Sequence, residues 1–267
     1  MTVCTILLLL IMTGSTTVQA ASSPKAPDCN ILYDLGDGQE YRIGSALAMT
    51  MMTTNPDGSY YVDPATNSYV LDQNKMNTFL AALSMLYPHE SEELDFYATR
   101  GEYVHVTGGN QKQRFIDTRT EIPYLADAIM KGKKETHTPA WGVGGTYIEV
   151  DMGMQMLYYY ENNRQVISTP IVTGNTGNGH GTPDGVNYVN SKLRNTNLVG
   201  ADYVSFVNYW MAVIGNSIGI HDATWRGSFG GNIYTYNGSH GCVNVPLAVM
   251  KDLYPMVEKG TTVVMFY

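Results

Sequence analysis

The chain has 267 residues, enough for one large or two modest domains. Charged residues make up 15% of it, against roughly 25% in a typical globular protein, and Gly (27) and Tyr (20), with Asn, Ser and Thr, take their place. The net charge of −8 leaves no basic surface to release counterions from a phosphate backbone, which excludes nucleic acid as a partner. At the N-terminus, residues 6–12 form a short apolar core, followed by small and polar residues ending in Val18-Gln19-Ala20-Ala21-Ser22. This is the pattern of an export signal over residues 1–20, cut after Ala20, and it predicts an extracytoplasmic protein. Met1-Thr2-Val3-Cys4 lacks the usual positive charge, so an uncleaved N-terminal anchor is the alternative. The apolar run is shorter than the about 20 residues that cross a bilayer.

Residues 21–29 read as a linker, built on Ser22-Ser23-Pro24-Lys25-Ala26-Pro27, and no lipobox surrounds Cys29. Loss of the signal removes Cys4 and leaves Cys29 and Cys242. An exported chain can pair such cysteines, but pairing would block the thiol of Cys242, so both are expected to be free.

Residues 30–138 predict an α+β module. Met76, Phe79, Leu80, Leu83 and Leu86 recur at helical spacing after Asp72, which can cap the helix start. Residues 96–99 and 103–107 alternate as strands, with a turn at Gly108-Gly109-Asn110. Thr118 and Glu121 have the spacing of a capping box before Ile122, Leu125, Ala126 and Ile129, and Gly132 ends that helix. Lys131-Gly132-Lys133-Lys134-Glu135-Thr136-His137-Thr138-Pro139 is polar and broken by Gly and Pro, which places a domain boundary there with His137 as a solvated linker residue.

Residues 139–267 are mainly strands: 147–151, 155–160, 165–172, 185–189, 209–213 and 217–220, with Glu161-Asn162-Asn163-Arg164 as a hairpin turn. Gly174-Asn175-Thr176-Gly177-Asn178-Gly179-His180-Gly181 lacks the Gly-Lys-Ser/Thr and the helix of a phosphate loop, and reads as a flexible loop beside a cleft. One helix carries Pro246 in its first turn and Leu247, Met250, Leu253, Tyr254 and Val257 on one face, with Gly260 beyond its end. Residues 261–267 form a closing strand. Strands separated by turns suggest a sandwich or barrel with one or two helices.

The chemistry concentrates near the C-terminus. Ser239-His240-Gly241-Cys242-Val243-Asn244, with His221 upstream in Ile218-Gly219-Ile220-His221-Asp222, places two imidazoles near a scarce cysteine. A thiol becomes a strong nucleophile with an imidazole as its base. Gly241 before Cys242 suits a tight turn that exposes the sulfur and gathers backbone N–H groups. Burial as a small apolar residue fits the polar, glycine-rich setting poorly. A zinc site would need Cys-x-x-Cys or His-x-x-x-His partners, whereas His89, His105, His137 and His180 are scattered singly. No metal or other cofactor is expected.

His221, seventeen intervening residues and Ser239-His240-Gly241-Cys242-Val243-Asn244 resemble the signature of the L,D-transpeptidase (YkuD-type) catalytic domain. Thr182-Pro183-Asp184-Gly185, Tyr209-Trp210-Met211, His221-Asp222-Ala223-Thr224-Trp225-Arg226 and Phe229-Gly230-Gly231 fit the same family, over about residues 145–267. The resemblance implies a β-sandwich-like catalytic domain at 139–267, with residues 30–138 as an accessory module similar to those described as peptidoglycan-binding. It also implies attack by Cys242, with His221 as base held by the Asp222 carbonyl, on a peptidoglycan tetrapeptide stem in the bacterial cell wall. D-Ala leaves, and a side-chain amine of another stem completes a 3→3 cross-link. An imidazolium–thiolate pair is expected at neutral pH. The N–H groups of His240, Gly241 and Cys242 would form the oxyanion hole, with the His240 ring turned away from the sulfur. Ser239 and Asn244 would fix the loop, while Trp225 and Arg226 line the substrate path and Arg226 is able to hold a carboxylate. Carbapenems would acylate the same thiol; no obligate protein partner is implied. An L,D-carboxypeptidase or thiol hydrolase on this scaffold, and a non-catalytic wall-binding protein, remain as alternatives.

Overall fold

The structure, a computed structural model, describes residues 23–200 and 203–267; the export signal lies outside the described residues. The first zone runs β1 (Asn30–Gly36), β2 (Gln39–Gly44), α1 (Ser45–Thr50), β3 (Val62–Asp63), β4 (Ser68–Tyr69), α2 (Gln73–Leu86), β5 (His89–Glu90), β6 (Glu93–Tyr97), β7 (Tyr103–Thr107), β8 (Gln113–Ile116), α3 (Thr118–Met130) and β9 (Lys134–His137). The second runs β10 (Trp141–Gly142), β11 (Tyr147–Asp151), β12 (Met156–Glu161), β13 (Arg164–Pro170), β14 (Gly185–Tyr188), β15 (Ser191–Val199), β16 (Val204–Ile214), β17 (Ile218–Asp222), α4 (Tyr234–Asn237), β18 (Val243–Val245), α5 (Leu247–Met256) and β19 (Thr262–Phe266).

In the first zone α2 starts where Asp72 accepts from the backbone of Asn74 and Lys75, as its sequence predicts. The cap of α3 differs. Asp117, not Thr118, is the capping residue, with its carboxylate on Arg119 N. Glu121 is buried and bonded to Tyr33, His137 and Ala140 N instead of reaching back as a capping box. The polar stretch after α3 is not a free linker. Lys134–His137 forms β9, which pairs in parallel with β1. His137 stacks on Tyr124 at 3.5 Å between ring centroids and contacts Glu121 Oε2 at 2.8 Å. Charged side chains conceal such a strand, because it is its partner that makes it one. Cys29 closes against Ile31, Tyr33 and Ile43 in this zone's core, and both Cys29 and Cys242 are free.

The second zone is two packed sheets. The order β13-β12-β11-β19-β14 faces the order β15-β16-β17-β18, and α5 closes the side. Ile148, Val150, Leu157, Met211, Ile220, Val243, Val263 and Met265 fill the space between them. The β12–β13 hairpin turns through Asn162 and Asn163, both in the left-handed region at φ 49° and 63°, as an Asn-rich two-residue turn requires. Strands β11 and β19 are buried along their whole length because both faces are covered. Val264, Phe266 and Tyr147 meet Leu94, Phe96 and Val106 of the β6–β7 hairpin on the face away from the second sheet. Beneath that hairpin, buried Glu149 accepts from Thr99 N and Oγ1, and Asp151 pairs with Arg100. Strand β15 is absent from the sequence reading. Its Ser-Lys-Leu-Arg-Asn-Thr-Asn run has no apolar alternation and becomes a strand by pairing along β16.

Candidate active site

Strands β17 and β18 lie side by side in parallel, with Ile220 opposite Val243 and His221 opposite Asn244. Asn244 stands beside His221 across this pair, and Cys242, one residue before β18, lines the same cavity. Trp210 lies opposite His221 on β16. Its ring lies 5.8 Å from the imidazole, and that of Trp225 lies 5.9 Å away. The cavity has a volume of about 490 Å³ and is lined by His221, Trp225, Arg226, Ser239, His240, Cys242 and Asn244. Leu198, Tyr203, Ser205 and Tyr236 are also among its walls. Asp222 and Gly241, the two other candidates, stand behind it.

Each candidate has a definite partner. His221 Nδ1 meets the Asp222 carbonyl at 2.9 Å. The Asp222 carboxylate, fully buried, accepts from Asn208 N, Asn208 Nδ2 and Tyr209 N, which fixes the backbone that carries this carbonyl. Asn244 Nδ2 lies 3.1 Å from His221 Nε2. Asn244 Oδ1 accepts from Arg226 Nε at 2.6 Å, and because a guanidinium only donates, the amide orientation follows. His221 Nε2 is therefore the acceptor and Nδ1 carries the hydrogen. A second hydrogen on the ring would face the Asn244 amide hydrogens. Burial, the largest influence, depresses the His221 pKa to about 4, against the favourable carbonyl of Asp222.

Cys242 is 8% exposed, and its Sγ donates to Ser217 O at 3.6 Å. Burial pushes this thiol up from its ordinary pKa, opposed by the Gly219 backbone. Burial therefore works against the expected imidazolium–thiolate pair. Desolvation penalises both charged forms, and each partner is engaged elsewhere.

The loop before Cys242 is shaped by its residue types. Ser239 Oγ donates to Cys242 O at 2.5 Å and accepts from Gly241 N at 3.1 Å, so the Gly241 N–H is spent inside the turn. Gly241 sits at φ +116°, a region L side chains rarely adopt, and a Cβ there would meet Ile218 at 3.3 Å. The exposed His240 ring stacks near Tyr203 at 5.0 Å and lies tilted against His180 at 4.7 Å. The 174–181 segment is tied down rather than loose. Asn175 N donates to Ser239 O, Gly174 N to Thr182 Oγ1, and Thr182 Oγ1 to Gly241 O at 2.7 Å.

Sequence reasoning gave no role to Ser217, Asn208, Thr182 or Trp210. Thr182 and Trp210 stand within motifs that carried the resemblance, which was their available signal; Ser217 acts through its backbone carbonyl and Asn208 through its N–H and side-chain amide, at positions that no motif marks.

A family profile described as the L,D-transpeptidase catalytic domain (YkuD) matches residues 145–265. Among solved structures, the Ldtfm–avibactam carbamoyl enzyme is 33% identical, with 90% of this chain and 94% of that chain covered at a TM-score of 0.55. A cysteine-to-serine mutant of Enterococcus faecium L,D-transpeptidase is 32% identical, covering 90% and 96% at 0.54. The comparison with curated proteins gives no match. With a shared fold over nine-tenths of its length and the family's catalytic domain at its C-terminal end, the chain belongs to the L,D-transpeptidases, enzymes of the peptidoglycan cross-linking class.

Proposed function

We propose that this protein forms 3→3 peptidoglycan cross-links with Cys242 as nucleophile and His221 as general base. The observation that carries the reading is the imidazole itself, held by Asp222 O at Nδ1, in the cavity that Cys242 also lines. Proton transfer from Sγ to Nε2 accompanies attack of sulfur on the carbonyl joining the third stem residue to D-Ala. The C–N bond breaks, the departing amine takes the proton from His221, and a thioester remains. An amine of a second stem then attacks the thioester, passes its proton to His221, and expels the sulfur, which recovers a proton. The N–H groups of His240 and Cys242 are the candidate oxyanion donors, each worth about 3 kcal/mol of barrier; that of Gly241 is occupied.

With burial opposing both charged forms, this reading has the proton move as the carbon–sulfur bond forms. The avibactam carbamoyl form of the similar enzyme supports a nucleophile open to carbamoylation by avibactam. In this reading residues 30–138 are an accessory module that meets the wall, residues 139–267 do the chemistry, and the N-terminus directs export.

Mass spectrometry of the protein mixed with a carbapenem tests the assignment. One adduct per chain, lost in Cys242→Ala, is expected; an adduct that survives this change overturns it. A defined tetrapeptide supplied with and without an amine acceptor separates the readings of the same site. Cross-linked dimer supports the transpeptidase, and tripeptide alone supports a carboxypeptidase.

A further inference from the structure

In the cavity the basic nitrogen of His221 is capped. An imidazole with its hydrogen on Nδ1 has one ring lone pair left, on Nε2, and Asn244 Nδ2 covers it at 3.1 Å. That amide cannot turn over while Arg226 Nε holds its oxygen at 2.6 Å. Arg226 is steadied in turn by Nη1 donating to Asn237 O at 2.7 Å. The thiol, for its part, rests on Ser217 O. Proton transfer from Cys242 therefore needs Asn244 to move, and Asn244 is released only by Arg226. Arg226 faces the cavity, where substrate arrives. Two of a guanidinium's five donors are used in these contacts. It is half-buried and so gains from an anion, and a carboxylate is the anion its fork fits.

We propose that Arg226 and Asn244 are positioning residues forming a latch on His221, opened by the terminal carboxylate of the substrate peptide. The inference rests on the Cys242–His221 chemistry proposed above. A carboxylate that draws the guanidinium off Oδ1 leaves the Asn244 amide free to rotate. Rotation uncovers Nε2 for the thiol proton. Once the ring is protonated, the turned amide presents Oδ1 to the new Nε2–H. One amide thus favours the neutral ring before substrate binds and the charged ring afterwards. Only hydrogen bonds change in the opening itself. The latch makes the free carboxylate a condition for reactivity, and so discriminates against stems whose terminus is an amide.

The test is alkylation of Cys242 by iodoacetamide, which carries no carboxylate, followed on the full chain at pH 7 by peptide mass spectrometry. N-acetyl-D-alanine is added as the carboxylate and N-acetyl-D-alaninamide as the uncharged control, at matched ionic strength. The acid alone is expected to accelerate alkylation saturably, by about fivefold if one hydrogen bond is relieved. Asn244→Ala keeps the charge of Arg226 and removes the cap. It should alkylate at the accelerated rate without the acid, respond to it no further, and show a His221 pKa raised by roughly one unit in NMR titration. Arg226→Gln should likewise lose the response. A wild-type rate indifferent to the acid overturns the latch by itself, even where a variant fails to fold. So does an Asn244→Ala protein that still responds. Either result leaves carbapenem acylation of Cys242 intact, whereas failure of the nucleophile assignment shows as an adduct that persists in Cys242→Ala.

Discussion

Burial disfavours the charged forms of both His221 and Cys242, and this has consequences at two pH ranges. The ring of His221 has its pKa depressed from an ordinary 6.5 to about 4, so the unfolded chain binds a proton between those values that the folded chain refuses. Its contribution to stability is complete above pH 6.5 and is lost as pH falls toward 4, about 3 kcal/mol in all. Buried Glu149 runs the other way, since desolvation raises its pKa and acid favours its folded form. Urea midpoints from pH 7 to 4 in wild type and His221→Gln isolate the histidine: the wild type is expected to lose stability more steeply. For Cys242, the raised thiol pKa predicts that alkylation of the free enzyme climbs only in alkaline solution. A pH–rate profile with iodoacetamide that instead levels off near neutrality would reveal a preformed ion pair.

At the scale of elements, the site is a junction of two parallel strands and one turn. The β17–β18 pairing sets His221 opposite Asn244, and Cys242 immediately precedes β18. The turn before β18 depends on Gly241, whose φ of +116° strains any side chain there and whose Cβ would press on Ile218 at 3.3 Å. Gly241→Ala is therefore expected to shift the Cys242 backbone. Strained backbone of this kind costs about 1–3 kcal/mol, and a misplacement of about 1 Å costs roughly a hundredfold in rate. Carbapenem acylation rate and thermal midpoint measured together check this: a large loss of rate with a small loss of stability is the expected signature. The same stretch was legible in the sequence because its chemistry is local. Serine, glycine and cysteine in that order, at 239, 241 and 242, describe one turn. His137 was not legible: its partners Tyr124 and Glu121 and its strand neighbour Tyr33 come from elsewhere in the chain.

Across the whole molecule, the β6–β7 hairpin joins the two zones. Phe96 lies edge-on to Tyr147 at 5.7 Å and packs near Phe266 at 5.9 Å, so its ring covers the outer face of the sheet that backs the site. Phe96→Ala should cost about 3–5 kcal/mol. Hydrogen exchange in β11 and β19, not merely in the hairpin, is the measurement. Protection lost in those strands shows the shared core, and protection lost only in β6 and β7 would refute the coupling.

The sequence by itself determined the elements that carry their own signal. Helices α2 and α5 announce themselves by apolar spacing, the 161–164 turn by paired asparagines, and the active-site loop by Ser239-His240-Gly241-Cys242. The family resemblance also implied the hold of Asp222 O on His221, a contact the structure contains at 2.9 Å. Tertiary structure alone decided that β9 and β15 are strands, because polar segments take a strand's form only from a partner. It alone decided which hydrogen bonds hold the imidazole and the thiol at rest. Nearby residues can suggest an ion pair, but burial and competing partners set its charge, and those depend on strands brought together from across the chain.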